Sequence, residues 1–345
     1  MARFGHFGPT TRRGRRGLGV VALAGIAVVL AGCSSAAPEQ SAAVRAPTVL
    51  PAGAYIAHPS PPAPSPSSCT ASYPPPAVMP TAGQMPAGSF MAKIEARGYL
   101  TVGVTQNTYL WGYRDPVSGQ LEGFDISMLD QVAQAIFGPT DLAAHIHYVI
   151  VSNADRIPAV QKGQVDILAE TMTITCERKQ DIDFSTVYYE AQQQILVPSN
   201  SSITGPADLA GKRVCTVESS TSIQNLVIPP VGPHPVIWAV PDITDCLVML
   251  QQDQVDAIST DNAILEGLEA QDPNTKLLTQ SFSEEPYGLA ISKAHTDFTS
   301  FVDGVLEGER TDGTWTSIYN STVGQHLTDT PTPAPPAPTY TAAPA

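Results

Sequence analysis

One phrase occurs twice in this chain, as GQVDILAETMTIT at residues 163–175 and as DQVDAISTDNAIL at 253–265. Each copy runs through a turn, a Val-Asp pair, a short apolar strand and a cluster of polar side chains. Two buried strands of this kind call for two sheets of similar construction. In the first copy Val165, Ile167 and Ala169 are predicted to face one way and Asp166, Leu168 and Glu170 the other, at the period of a strand. Thr171, Thr173 and Thr175 keep that period, and Glu177, Arg178 and Lys179 then open a helix with Thr175 as its N-cap. Hydroxyls at a strand end, followed by an arginine at a helix start, suit a carboxylate, because arginine supplies a planar two-donor fork. The same residues also suit an ordinary strand–helix junction, so the rest of the chain has to decide. Polar groups at the carboxyl ends of parallel strands are where open α/β sheets bind ligands, and two such ends predict a cleft between lobes.

The body around these copies alternates in the same manner. Strands are predicted at 99–105, 145–151, 188–197, 213–217, 255–260, 276–279 and 286–292. Helices are predicted at 89–97, 126–137, 156–162, 242–252, 262–270 and 297–307. Residues 106–112 read as a loop and 115–123 as a turn. Such alternation predicts α/β domains with mainly parallel sheets.

The two ends are different in kind. Arg12, Arg13, Arg15 and Arg16 precede an apolar run over 18–31, short for a membrane-spanning helix and suited to a signal peptide. That run closes on Leu30-Ala31-Gly32-Cys33, which resembles a bacterial lipobox. Residues 1–32 are therefore expected to be a lipoprotein signal peptide, with Cys33 lipidated on the extracytoplasmic side of the cell membrane. Losing them removes five arginines and no acid, which moves the formal charge from −14 to −19. So acidic a surface argues against nucleic-acid partners and against direct attraction to anionic lipid, leaving the lipid anchor to hold the membrane. Residues 33–85 are rich in Pro, Ser and Ala and poor in large apolar side chains, which predicts a semi-extended tether whose last part packs down if Cys69 is disulfide-bonded. Residues 327–345 predict a disordered tail for the same reason. Beyond Cys33 there remain Cys69, Cys176, Cys215 and Cys246, an even count that favours disulfides outside the cytoplasm. No Cys-x-x-Cys or Cys/His spacing suits zinc, and His145 and His147 lack a third ligand nearby in sequence. Neither a metal nor a cofactor is expected.

Nine pieces of the body carry a resemblance. They are LTVGV (100–104), EGFDI (122–126), RIPAVQKGQVDI (156–167), TITCERKQDIDFS (173–185), YYEAQQQILV (188–197), DLAGKRVCTVESSTS (208–222), DAISTDNAIL (256–265), EEPYGLAIS (284–292) and DGTW (312–315). In order and spacing they resemble the family 3 polar amino-acid solute-binding proteins of ABC transporters, and among these the glutamine/glutamate-binding lipoproteins. The resemblance implies a type II periplasmic-binding-protein fold, with two α/β lobes joined by a two-strand hinge. Lobe 1 would take 86–197 and 284–326, and lobe 2 would take 198–283. It further implies a monomer that closes on a free amino acid and delivers it to an ABC permease. A membrane signalling protein that reads amino-acid levels is the alternative partner.

The family's site residues carry over by position. Arg178 matches the arginine on the ligand α-carboxylate, Thr173 the donor beside it, and Thr171 the residue whose carbonyl receives the amine. Asp261 matches the second-lobe carboxylate on the α-ammonium, and Ser220 and Thr221 match the turn that also faces the α-carboxylate. Arg156 stands where acidic-amino-acid binders reach the ligand side chain, with Asn153 as its partner. Two arginines against one aspartate leave a net charge of +1, which favours glutamate or aspartate over glutamine or asparagine. Asn107 and Trp111 fall in the ligand-covering loop; Trp111 is expected on the substrate, with a place in the core as its other reading. The Cys215–Cys246 pair resembles one in the glutamate-binding branch. Cys69–Cys176 then remains to staple the N-terminal arm to the body. A dehydratase-like enzyme acting on small carboxylates is a remote alternative, because matching ligand charge occupies Arg178, Asp261 and Arg156 and leaves no spare acid or base.

Overall fold

The computed structural model describes residues 49–62, 67–233, 235–326 and 332–341. The expected signal peptide and the lipidation site at Cys33 lie outside the described residues. Among the described residues, no helix is long and apolar enough to cross a membrane.

The first lobe is built on a five-stranded sheet in the order Ile146–Ile150, Leu100–Val104, Ile167–Leu168, Ala290–Ile291, Asp183–Phe184. The first three strands are parallel, and Ala290–Ile291 runs antiparallel to both of its neighbours. On one face lies the helix Phe124–Phe137, whose Phe124, Met128, Leu129, Val132, Ala133 and Ile136 are buried at helical spacing. Gly123 sets its start. With φ at 126°, a Cβ there would come within 2.3 Å of the Trp111 carbonyl oxygen, so only glycine fits. The helix Phe90–Arg97 is capped at both ends, with the Ser89 hydroxyl accepting the Ala92 N–H at 3.0 Å and Gly98 in the left-handed region. The stretch read as a loop carries the strands Asn107–Thr108 and Gly112–Arg114 of a small antiparallel sheet, and the turn read at 115–123 joins Gly112–Arg114 to the third strand, Leu121–Glu122.

The second lobe has a six-stranded sheet in the order Tyr55–Ala57, Val236–Val240, Arg213–Val217, Ala257–Asp261, Tyr189–Pro198, Thr275–Tyr287. Its repeat phrase is built like the first. Asp166 accepts the Thr101 N–H at 2.7 Å and pairs with Arg97, while Asp256 accepts the Arg213 N–H at 2.8 Å and pairs with the Arg213 guanidinium. In both lobes the Val-Asp aspartate ties down the start of the neighbouring parallel strand, a structural role and not a ligand-binding one.

Three boundaries differ from expectation. The strands Tyr189–Pro198 and Thr275–Tyr287 pair antiparallel from Tyr189–Tyr287 to Pro198–Thr275 within the second-lobe sheet. The chain therefore crosses between lobes near Tyr189 and Tyr287, not at 197 and 284, because backbone pairing continues to the crossover. The run expected as one strand at 286–292 is split, with Gly288 and Leu289 unpaired in strand terms. The expected tether also differs. Tyr55–Ala57 pairs antiparallel with Val236–Val240 and covers an edge that would otherwise be unpaired. Farther on, the Ser72 hydroxyl donates to the Phe184 carbonyl at 2.8 Å, and the Met79 sulfur packs where a Cβ on Gly304 would lie 2.2 Å away. The tail departs from disorder in the same place: Ser72 N–H donates to the Thr339 carbonyl, Thr341 N–H donates to the Ser72 carbonyl, and the Tyr340 hydroxyl donates to Glu307. Composition made these segments poor core formers. Backbone pairing and a covalent anchor order them without a core of their own.

That anchor is the Cys69–Cys176 disulfide, and Cys215–Cys246 joins the strand Arg213–Val217 to the helix Ile243–Gln251. A non-reducing peptide map is expected to recover both pairs, and a free thiol at any of the four contradicts the arrangement. Replacing Cys215 and Cys246 together by Ala is expected to lower the unfolding free energy by about 2–4 kcal/mol in denaturant melts.

Candidate functional site

A cleft of about 430 Å³ lies where the polar ends of the two repeat strands face each other. Arg178, Asp261, Thr171, Thr173, Arg156, Ser220, Thr221, Asn107 and Asn153 all line it, as the sequence predicts. Trp111 does not. It is fully buried, donates its indole N–H to the Ala263 carbonyl at 2.8 Å, and packs edge-on against Tyr189 and Tyr287. An indole that size is worth most where it excludes water, and here it fills the crossover between the lobes.

Arg178 stands at the start of the helix Arg178–Asp181, whose N-cap is Glu177 and not Thr175 as expected; the Thr175 hydroxyl nonetheless accepts the Arg178 N–H at 3.1 Å. Its guanidinium donates to the Thr173 carbonyl at 2.7 Å and, across the cleft, to the Ser219 carbonyl at 3.3 Å. Arg156 is 4% exposed and donates to the carbonyls of Asn153, Glu170 and Ser219 at 3.2, 3.2 and 3.4 Å. Both cations thus meet neutral carbonyls, and burial lowers both pKa values. Arg156 is buried and Arg178 half-buried, and each is a positive charge suited to an anionic partner.

Asp261 ends the strand Ala257–Asp261 and accepts the Tyr287 hydroxyl at 2.7 Å and the Ser222 hydroxyl at 3.3 Å. Burial, with the nearby Glu285 charge, pushes its carboxyl up to about 8. An arriving ammonium group would restore its ionised form. Thr171 holds φ at 42°, in the left-handed region, where a β-branched residue is strained. Its N–H donates to the buried Asp125 carboxylate at 2.9 Å, which also takes the Tyr188 hydroxyl at 2.6 Å. That network fixes the turn that carries Thr171 into the cleft.

The hydroxyls are committed to the protein. Thr173 and Thr221 each donate to Glu285 at 2.7 Å, and the Ser220 hydroxyl donates to the Val217 carbonyl at 2.6 Å while accepting the Ile223 N–H. The Asn107 amide donates to the Asp242 carboxylate, so it links the lobes at the rim. Three residues of the site escaped the sequence argument. Glu285 is 1% exposed and accepts four hydrogen bonds, from Thr173, Thr221, Asn225 and Ser283. Ser222 supports Asp261. Glu170 lines the cleft, 4% exposed, with its Oε2 atom free of any hydrogen bond. Period-two reading turned Glu170 away from the cleft side of the threonines, and the left-handed turn at Thr171 breaks that period. With Glu285 and Glu170 present, the net charge of +1 counted from sequence no longer describes the site.

Buried carboxyls dominate the titration of this fold. Burial raises Glu170 to about 8, Asp125 to about 6, Asp303 to about 7 and Glu309 to about 8. A carboxyl raised in the folded state holds a proton that the unfolded chain has released, so its stability contribution is present at acid pH and lost as pH climbs through the folded value. The melting temperature of the ligand-free protein is expected to fall between pH 5 and pH 8.5, by on the order of 5 °C or more. A melt that is flat or rises over that range contradicts these assignments.

Comparison with known proteins gives concordant results. The family model described as bacterial extracellular solute-binding proteins, family 3, matches residues 100–325. The ABC transporter glutamine-binding protein GlnH of Bacillus subtilis (strain 168) is 36% identical over 230 residues, which cover 66% of this chain and 82% of the relative. The glutamate-binding protein GluB of Corynebacterium glutamicum is 27% identical over 248 residues, covering 68% and 82%. Among solved structures, an ancestral arginine-binding protein bound to glutamine superposes with a TM-score of 0.59 at 33% identity, covering 66% of this chain and 99% of that one. The two lobes and their paired crossover strands are the type II periplasmic-binding-protein arrangement, and the relatives are binding proteins and not enzymes. The chain belongs to the bacterial extracellular solute-binding proteins, family 3.

Proposed function

We propose that the cleft captures one free polar amino acid and that the protein hands it to an ABC permease. In this reading Arg178 takes the α-carboxylate, Asp261 the α-ammonium, and Arg156 the end of the ligand side chain. The observation that carries it is the placement of a guanidinium and a buried carboxyl on opposing lobes, Arg178 on one and Asp261 on the other. A zwitterion laid between them satisfies both, and neither needs a partner from water. Binding proteins named for glutamine and for glutamate among the relatives support the ligand class.

Glutamate or aspartate is the favoured ligand, with glutamine or asparagine as the alternative. Local pairing supports this more than total charge does. Glu285 is saturated behind the threonine hydroxyls, whereas Arg156 donates only to carbonyls, one of them the Ser219 carbonyl that it shares with Arg178. Cys33, at the end of Leu30-Ala31-Gly32, would anchor the monomeric protein by lipid on the extracytoplasmic face.

Calorimetric titration with glutamate, aspartate, glutamine and asparagine tests the ligand class. Removing one partner of a desolvated charge pair costs on the order of 2–5 kcal/mol, so Arg178→Ala and Asp261→Ala are each expected to weaken binding by roughly 30-fold or more. Arg156→Ala is expected to weaken the acidic ligands more than the amides. Clear preference of the wild type for glutamine overturns the acidic assignment. For the anchor, Cys33→Ser is expected to move the protein from the membrane fraction to the soluble one, and retention in the membrane contradicts it.

A further inference from the structure

Glu170 is a buried carboxyl lining the cleft that neither the amino-acid headgroup nor the hydroxyl network accounts for. It sits at the end of the first repeat strand, beside the strained Thr171, and its Oε2 atom is buried without a hydrogen-bond partner. A buried carboxyl oxygen left unpaired is destabilising, so its retention in a cleft calls for a ligand atom to meet it. Its backbone carbonyl accepts from Arg156 at 3.2 Å, and the Arg156 charge acts on its carboxyl.

We propose that Glu170 determines side-chain specificity, carrying a proton when the ligand ends in a carboxylate and giving it up when the ligand ends in a carboxamide. The inference rests on the amino-acid reading above and deepens it. A protonated Glu170 donates one hydrogen bond to a ligand carboxylate oxygen, while Arg156 supplies the positive charge. An ionised Glu170 accepts from the amide nitrogen of glutamine, while Arg156 donates to the amide oxygen. One pair of side chains thereby serves either ligand, and the proton moves between Glu170 and solvent as the ligand enters.

The surrounding charges favour such a switch. Arg156, from the helix Arg156–Gln161, pulls Glu170 toward ionisation, and Asp125, from the helix Phe124–Phe137, pushes against it. Tyr188 bonds Asp125 and stays neutral, since burial and the Asp125 charge raise its pKa well above the usual phenol value. Asp261, from the facing lobe, and Arg178, from the same lobe, act through Arg156. Burial holds the Glu170 carboxyl near about 8, close enough to neutrality for a ligand to tip it either way.

The test is calorimetric titration of the full chain with glutamate and with glutamine between pH 6 and pH 9. The quantity read is the ratio of the two affinities, because ionisation of the ligand headgroup is common to both and cancels. The wild-type ratio is expected to shift toward glutamine by up to about tenfold per pH unit above neutrality. At pH 8, glutamate binding is expected to take up part of a proton, read from two buffers of different ionisation heat. In Glu170→Gln the ratio is expected to become flat with pH. A wild type that binds both ligands with a constant ratio and no proton uptake overturns the role of Glu170 and leaves the amino-acid reading intact. A wild type that binds none of glutamate, glutamine, aspartate and asparagine overturns the ligand reading on which the role of Glu170 rests. The buffer measurement needs no variant, so a failure of Glu170→Gln to fold does not remove the test.

Discussion

The structure depends on keeping a few charges out of water without pairing them inside one lobe. Removing an arginine or a carboxylate from solvent costs several kcal/mol unless a counter-charge is at hand. Here Arg178 and Arg156 find only carbonyl oxygens, and Asp261 finds only hydroxyls. The local architecture serves this arrangement. Asp125 grips the left-handed turn at Thr171, Glu285 gathers the hydroxyls of Thr173 and Thr221, and the aspartates of the two Val-Asp pairs secure the strands beneath. A molecule bearing both charges completes what the protein leaves open.

The lobes are joined by more than two strands. An aromatic cluster of Trp111, Phe124, Tyr188, Tyr189, Tyr287 and Trp315 packs around the crossover, with the Trp111 N–H reaching a second-lobe carbonyl and the Trp315 N–H reaching Tyr188. Rigid packing there confines relative motion to a small set of backbone angles, as hinge closure requires. At the rim the contacts are few and polar: Asn107 to Asp242, and the two arginines to Ser219. Contacts of that kind are readily exchanged for a ligand or for water. The disulfide at Cys176 fixes the first-lobe segment just before Arg178 and also fastens the N-terminal arm, so arm and binding helix share one covalent brace.

Much of this was legible in the chain because periodic patterns report local geometry. The twofold repeat correctly placed two strand ends on facing lobes, and the spacing of Phe124 to Ile136 fixed a helix that the structure starts two residues earlier than predicted. The threonine and arginine of the first strand end and the aspartate of the second were visible as a charge pattern. What stayed hidden depended on departures from period. Thr171 turns left-handed, which swings Glu170 into the cleft, and no alternation rule anticipates it. Glu285 lies in a crossover strand whose partner strand is distant in sequence, so its four donors could not be foreseen together. Trp111 was ambiguous because an indole serves ligand and core equally well in sequence. Residues 55–57 and 339–341 were misjudged because low apolar content excludes a core but does not exclude pairing with an existing edge.

The central claim is that Arg178 and Asp261 clamp the two charges of an amino-acid headgroup from opposite lobes. Its most direct test compares, in one calorimetric series, the preferred L-amino acid with two derivatives, one N-acetylated and one amidated at the α-carboxyl. The clamp predicts that each derivative, lacking one headgroup charge, binds at least roughly 30-fold more weakly than the parent. An N-acetylated or α-amidated derivative that binds as tightly as the free amino acid would contradict it.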